Sequence, residues 1–203
     1  MEEKALLKWT HISQIIWNVA GCAHEELVLV GGTALALFHL LHRISIDIDF
    51  VPLKGKDEVE AKRKLKGCLS KKGYRTTVGA HWNQFIINFE DTAIKVEVFQ
   101  TEHQFKKIEK KSIGGETILA ASIDDIYEMK VTTYAERKEV RDLYDIYCIA
   151  KIRNEVKATL KKILQSSGKP QKMESLKSLL FSEQAYNEFQ EAISDASKEL
   201  HNV

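Results

Sequence analysis

Leu27-Val28-Leu29-Val30-Gly31-Gly32-Thr33, followed by Ile44-Ser45-Ile46-Asp47-Ile48-Asp49-Phe50, is the stretch on which the fold turns. The apolar run entering a glycine pair predicts a short buried strand and then a tight turn. A helix is expected from Thr33 to His42, buried because Leu35, Leu37, Phe38, Leu40 and Leu41 make it apolar nearly all round. Strand, small residues and helix in that order let backbone N–H groups approach a phosphate closely. In the second segment, strand alternation sends Ile44, Ile46, Ile48 and Phe50 to the core and aims Ser45, Asp47 and Asp49 outward together. Two carboxylates on one face repel unless a cation lies between them, and hard oxygen donors suit Mg²⁺ or Mn²⁺. An ordinary amphipathic strand with one wet face would alternate in the same way. The glycine pair upstream favours a metal-bound nucleoside triphosphate. Neither the Gly-x-Gly-x-x-Gly dinucleotide pattern nor a P-loop Gly-Lys-Ser/Thr is present.

Taken together, Leu29 to Leu37 and His42-Arg43-Ile44-Ser45-Ile46-Asp47-Ile48-Asp49-Phe50 resemble the AbiEii/AbiGii toxin family. That family lies within the DNA polymerase β-like nucleotidyltransferases, which share a Gly-Gly/Ser turn and then Asp-hydrophobic-Asp on a strand. With Gly32-Thr33 in the Gly-Ser place, thirteen residues separate Thr33 from Asp47, and Thr33 keeps the hydroxyl. The resemblance implies that Gly31, Gly32 and Thr33 bind the triphosphate, with Arg43 and Ser45 also at nucleotide-binding positions. It implies that Asp47 and Asp49 hold the metal, with a third carboxylate on a neighbouring strand.

Two strands are expected over Asn83 to Glu90 and Thr92 to Phe99, joined by a turn at Glu90-Asp91. In the second, Ile94, Val96 and Val98 form one face and leave Lys95 and Glu97 on the other. Glu97 is therefore the candidate third carboxylate, although the family pattern more often has Asp. A wet residue paired with Lys95 would look the same.

Farther on, Ser122 reads as a helix N-cap with Asp125 at the capping-box position. Lys130, Tyr134, Arg137 and Arg141 then recur at three- and four-residue spacing, and Asp145 follows Arg141 by four. A solvated, salt-bridged helix face would give this pattern. The run Lys130, Arg137, Arg141-Asp142-Leu143-Tyr144-Asp145 also resembles the second block of the AbiEii family. By that resemblance Lys130 contacts the triphosphate and Asp142 supports the active site, with Arg137, Arg141 and Asp145 behind them.

A formal charge of +1 gives no global polyelectrolyte character, but charge is segregated along the chain. Lys54 to Arg75 holds nine Lys/Arg against three acids, and Lys151 to Lys177 eight against two, while Glu183 to Glu199 is acidic. Basic runs of this kind are wet helix surfaces or tracks for a nucleic-acid backbone. Cys22, Cys68 and Cys148 lack Cys-x-x-Cys spacing and are expected as reduced thiols in a cytoplasmic protein. The histidines form no zinc pattern; His24-Glu25-Glu26 has no second histidine four residues on, and His42 reads as a group at the rim of the site. No run approaches the roughly 18 apolar residues of a membrane span.

The expected architecture is α+β: a nucleotidyltransferase-type mixed β-sheet flanked by helices over residues 1–120, then a helical region over 121–203 that completes the cleft. An amphipathic helix is expected over residues 5–20 and a surface helix over 57–72. Further strands are expected over 74–78, 84–89, 93–99 and 105–113, a series ended by Gly114-Gly115. The implied function is metal-dependent transfer of a nucleoside monophosphate from an NTP to an acceptor hydroxyl. From the resemblance, the acceptor is RNA, with the 3′ end of tRNA in view, and the partner is a separately encoded antitoxin. A non-catalytic nucleotide- or partner-binding domain, or a phosphodiesterase using the same acids with water, are the alternatives.

Overall fold

The computed structural model describes residues 2–23, 26–89, 93–113 and 115–200. A seven-stranded mixed sheet runs in the order β3-β4-β5-β2-β1-β7-β6. Its strands are β1 (Leu27–Val30), β2 (Ile48–Pro52), β3 (Arg75–Val78), β4 (Gln84–Asn88), β5 (Ala93–Val98), β6 (Ile108–Ile113) and β7 (Glu116–Ala121). Four of the helices are α1 (Glu2–Ala23), α2 (Gly31–Leu35), α3 (Glu58–Lys71) and α4 (Ile123–Arg137), and α5 (Val140–Ile152), α6 (Val156–Ser167) and α7 (Glu183–Leu200) follow.

α1 buries Trp9, Ile12, Ile16 and Val19 against the sheet, the stripe that its apolar spacing predicts. α3 starts where Asp57 caps the Glu60 N–H at 2.8 Å, and turns Ala61, Leu65 and Leu69 inward. α4 starts at Ser122, whose hydroxyl accepts from the Asp125 N–H at 3.2 Å as the capping pattern anticipates. Asp125 itself is buried, taking His103 and the Lys106 and Lys107 N–H groups, which ties the loop before β6 to the start of α4. A second apolar cluster lies among α4 to α7 around Tyr134, Leu143, Leu160 and Phe189. No helix among the described residues is long and apolar enough to cross a membrane.

Several expectations need correction. β7 falls in a segment read as the end of the strand series, yet Glu116–Ala121 pairs antiparallel with β6 and parallel with β1. The Thr117-Ile118-Leu119-Ala120-Ala121 run after a glycine pair is the signal for it, since a short Gly-Gly connection is a hairpin turn. β2 begins only at Ile48, so Ser45 and Asp47 precede the strand, and Ser45 is buried rather than facing outward. The helix expected to start at Thr33 begins at Gly31, passes into a π-helical turn over Ala36–Leu40 and ends with Leu41 in the left-handed region. Its first turns are buried, but Leu37, Phe38 and Leu40 are only partly covered and Leu41 is exposed. Cys22 and Cys68 form a disulfide between α1 and α3 instead of standing as thiols, because the packing of those helices brings together two residues 46 apart in sequence. Cys148 is the one free cysteine among the described residues, and burial pushes its thiol up to about 12. The turn at Glu90-Asp91, together with His24 and Glu25, lies outside the described residues.

Candidate active site

Strand register sets the acidic centre. Asp49 of β2 lies opposite Val30 of β1 on one side and Glu97 of β5 on the other, and Glu97 lies opposite Gln84 of β4. Two carboxylates far apart in sequence thus share one row across adjacent strands, on the face away from the buried Ile48, Phe50, Val96 and Val98. Asp47 precedes β2, so strand alternation does not set its direction, and it comes to the site through the segment that leads into Asp49.

The electrostatics of these acids differ. Burial, and then the neighbouring Asp47, push the Asp49 carboxyl up to about 6, with Lys95 and Lys130 opposing. Asp47 is more open and has two cations near it, Lys95 Nζ and Arg141 Nη1, each 3.5 Å from its Oδ2. Glu97 accepts from Asn83 Nδ2 at 2.9 Å and Gln84 Nε2 at 3.0 Å, with Lys95 Nζ at 3.8 Å. Lys95 therefore lies between Asp47 and Glu97 as a shared counter-charge.

Gly31 sits against this row at φ +72°, and a Cβ there would fall 2.7 Å from Asp49 Oδ2. Only glycine combines that backbone angle with that approach. Gly32 is equally constrained for another reason: a Cβ would fall 2.3 Å from Arg43 Nη2. Thr33, Arg43 and Ser45 lie behind the turn. The Thr33 hydroxyl is within hydrogen-bond reach of the Ser45 hydroxyl, at 2.9 Å, and of the Asp47 carbonyl, which fixes the approach to the first aspartate. Arg43 gives a two-pronged bond to Asp145, Nε to Oδ1 at 2.6 Å and Nη2 to Oδ2 at 2.8 Å.

Asp145 joins the strand half to the helical half. Besides Arg43 it meets His42 Nε2 and Lys130 Nζ, each at 2.7 Å. Burial acts to raise its pKa, but Arg43 and Lys130 outweigh burial and hold the carboxyl well below the usual range. Lys130 Nζ also meets Asp142 Oδ1 at 2.7 Å, and Arg137 grips Asp142 at 2.7 and 3.0 Å. Asp142 is likewise lowered, Lys130 and Arg137 outweighing its burial. His42, expected at the rim, is instead buried on Asp145 and stacked on Tyr144, and burial lowers its pKa.

A cavity of about 210 Å³ opens over the acids, lined by Gly31, Asp49, Glu97, Phe99, Lys130 and Arg137 among others. Arg137 also lines a second hollow of about 440 Å³ with Arg141, Lys172 and Ser175. Of the residues read from sequence, Gly31, Asp49, Glu97, Lys130 and Arg137 line the first cavity; Asp47 adjoins Asp49, and Asp142 reaches the cavity through Lys130. Asn83, Gln84 and Phe99 escaped sequence reading. Asn83 and Gln84 come beside Glu97 through strand pairing, which no local motif marks, whereas Phe99 follows Glu97 by two residues.

Residues 20–202 match the sequence profile of the AbiEii family, the nucleotidyl transferase AbiEii toxins of type IV toxin–antitoxin systems. The chain belongs to this family. It is a nucleotidyltransferase of toxin–antitoxin type, as the resemblance of the two motif blocks implied. Among solved structures, a Helicobacter pylori protein provisionally assigned as a nucleotidyltransferase is similar with a TM-score of 0.60 and 20% identity, covering 100% of this chain and 98% of the other. JHP933 from Helicobacter pylori gives 0.59 and 19%, covering 100% of this chain and 97% of the other. An antigenic nucleotidyltransferase-like protein from Paracoccidioides brasiliensis gives 0.54 and 15%, covering 87% and 92%. At these identities the likeness is one of fold. No curated protein matches this AbiEii chain.

Among the described residues no three His, Cys, Asp or Glu side chains are gathered as a ready metal cluster. The donor set nonetheless fits a hard divalent cation: Asp47, Asp49 and Glu97 offer only oxygens, and burial beside Asp47 leaves Asp49 short of positive charge.

Proposed function

We propose that this AbiEii protein transfers a nucleoside monophosphate from an NTP to an acceptor hydroxyl on RNA, with Asp47, Asp49 and Glu97 holding Mg²⁺ or Mn²⁺. The observation that carries the reading is the row of Asp49 and Glu97 across adjacent strands, closed by a glycine that leaves no room for a side chain. The bound cation would supply neutralisation of charge at the phosphate oxygens. Gly31 and Gly32 form the turn along which the triphosphate lies. Thr33, Arg43 and Ser45 act from behind, holding that turn and Asp47 in place. Lys130, Arg137 and Arg141 offer positive charge to the triphosphate, and Asp142 fixes the first two of these.

In the transfer, the acceptor oxygen bonds to the α-phosphorus and the bond to the β-phosphate bridge breaks. Pyrophosphate leaves with the electron pair. Glu97, oriented by Asn83 and Gln84, stands where it can aid removal of the hydroxyl proton. The basic segment from Lys54 to Arg75 supports a polyanionic acceptor, and the 3′ end of tRNA is the specific acceptor we favour. The antitoxin that type IV membership implies would restrain this activity.

Incubation with each labelled NTP, Mg²⁺ and total RNA tests the proposal. Labelled RNA and free pyrophosphate are expected, and both should disappear with Asp47→Asn or Asp49→Asn. Release of monophosphate without labelled RNA would instead identify hydrolysis.

A further inference from the structure

The turn between β3 and β4 abuts the acid that the transfer reaction places beside the acceptor. Asn83 donates to Glu97 through its side chain and accepts from the Val98 N–H at 3.1 Å through its carbonyl. The turn is closed on itself by Gln84 N–H to the His81 carbonyl at 3.0 Å, and Gly79 packs where a Cβ would meet Gln84 Cβ at 2.5 Å. On this hydrogen-bonded turn Trp82, immediately before Asn83, is 61% exposed. An indole exposed at this position, one residue from a side chain that holds Glu97, offers an open aromatic face beside the site.

Its surroundings narrow the choice. Lys62 Nζ lies 5.5 Å from the Trp82 ring centroid and donates to the Trp82 carbonyl, and one turn along α3 Lys66 Nζ lies 5.8 Å from the Phe85 ring. Of the neighbouring cations, Lys56 and Lys64 are paired with Glu26 and Arg63 with Glu60. Among the described residues neither Lys62 nor Lys66 is paired with a carboxylate. Both keep their charge for an incoming anion. An open aromatic face with unneutralised lysines at its side is the chemistry that holds single-stranded nucleic acid, bases on the ring and phosphates on the ammonium groups.

We infer that Trp82, with Lys62 and Lys66, forms a stacking platform for a single-stranded RNA end, presenting its terminal hydroxyl to Glu97. The inference rests on nucleotidyl transfer to RNA as proposed above and names the surface that receives the acceptor. Trp82 is a positioning residue: it stacks on a base and takes no part in bond making.

Binding of a fluorescein-labelled, short single-stranded oligoribonucleotide of mixed sequence, followed by anisotropy in the absence of NTP, tests the platform apart from the chemistry. Trp82→Ala should weaken binding roughly five- to a hundredfold, the range of one lost base–aromatic stack, whereas Trp82→Phe should retain most of it. Lys62→Ala and Lys66→Ala should each lower the slope of log affinity against log salt by about 0.7, the value for one phosphate contact on a single strand. In transfer assays Trp82→Ala should raise KM for RNA and leave KM for NTP unchanged. Trp17→Ala, which removes an exposed indole on α1, should change none of these. Equal oligonucleotide affinity for wild type and Trp82→Ala would overturn the platform, as would loss of NTP affinity in place of RNA affinity. If Trp82-dependent RNA binding is found but no transfer to RNA, the platform stands and the proposed reaction falls. If Asp49-dependent labelling of RNA persists undiminished in Trp82→Ala, the reaction stands and the platform falls.

Discussion

Gly31 lies at φ +72° with Asp49 Oδ2 2.7 Å from where a Cβ would be. Gly31→Ala would cost about 1–2 kcal/mol from the left-handed backbone alone and would also push Asp49 out of its row. Transfer activity should be lost while the fold survives, which labelled-NTP assays and circular dichroism on the same preparation would check. Asp49 illustrates a different tension. Its carboxyl is raised to about 6 by burial and by Asp47, so ionising it opposes folding above that pH. In metal-free protein at pH 8, Asp49→Asn should therefore be more stable than wild type by about 2 kcal/mol, taking about 1.4 per pKa unit and discounting for partial exposure. The difference should shrink as pH falls through 6 toward 4, where wild-type Asp49 is protonated, and denaturant titrations at these pH values would measure it. Asp145 has the opposite sign: its folded pKa is depressed, so its contribution is complete above its ordinary value of 3.8 and is lost as pH falls through the lower folded value. Asp145→Asn should cost about 3–5 kcal/mol at neutral pH, because Arg43 is left buried without its counter-charge and Lys130 keeps only Asp142. Little change in the denaturation midpoint of that variant would refute the account.

At the scale of elements, the disulfide between α1 and α3 ties the two helices that cover one face of the sheet. Closing a separation of 46 residues should stabilise the fold by about 4 kcal/mol in the chain-entropy picture. Unfolding with and without reductant, and in Cys22→Ser with Cys68→Ser, should differ by that order. The bond was not legible from sequence, since pairing depends on how α1 and α3 lie on the sheet and the cysteine spacing carries no motif. Asp49 was legible because side-chain period and glycine turn are local properties, whereas the period does not reach Asp47, which precedes β2. Glu97 was within reach for the same reason, through the alternation Ile94, Val96, Val98. Asn83 and Gln84 were not, because only the register between β4 and β5 puts them beside it. β7 is hidden from a reading that ends the strand series at the glycine pair, because its parallel pairing with β1 is not local. Lys130, Asp142 and Asp145 could be placed on helix faces, but strong burial of all three is a product of two helices meeting the turn.

Across the whole molecule, two apolar clusters, one on the sheet and one among α4 to α7, meet around charges contributed by both halves. Arg43 comes from the segment before β2, Lys130 from α4 and Asp145 from α5, and the backbone adds a bond from the Ile44 N–H to the Leu179 carbonyl at 2.8 Å. The boundary expected near residue 120 should therefore not be a boundary in unfolding. Urea unfolding followed by Trp fluorescence and by far-ultraviolet circular dichroism should give one coincident transition. Two transitions would mean that the halves hold themselves up separately. The same buried charges bear on how an inactive protein can be made for use beside the active one. Replacing Lys130 would remove the proposed triphosphate contact and loosen the joint between the halves in one stroke, so survival of a cell carrying such a variant would not separate lost chemistry from a chain that never matured. Asp47, partly open and meeting Lys95 and Arg141 at 3.5 Å, is on the proposed mechanism the position where chemistry would be switched off while the rest of the molecule is left as an antitoxin would meet it.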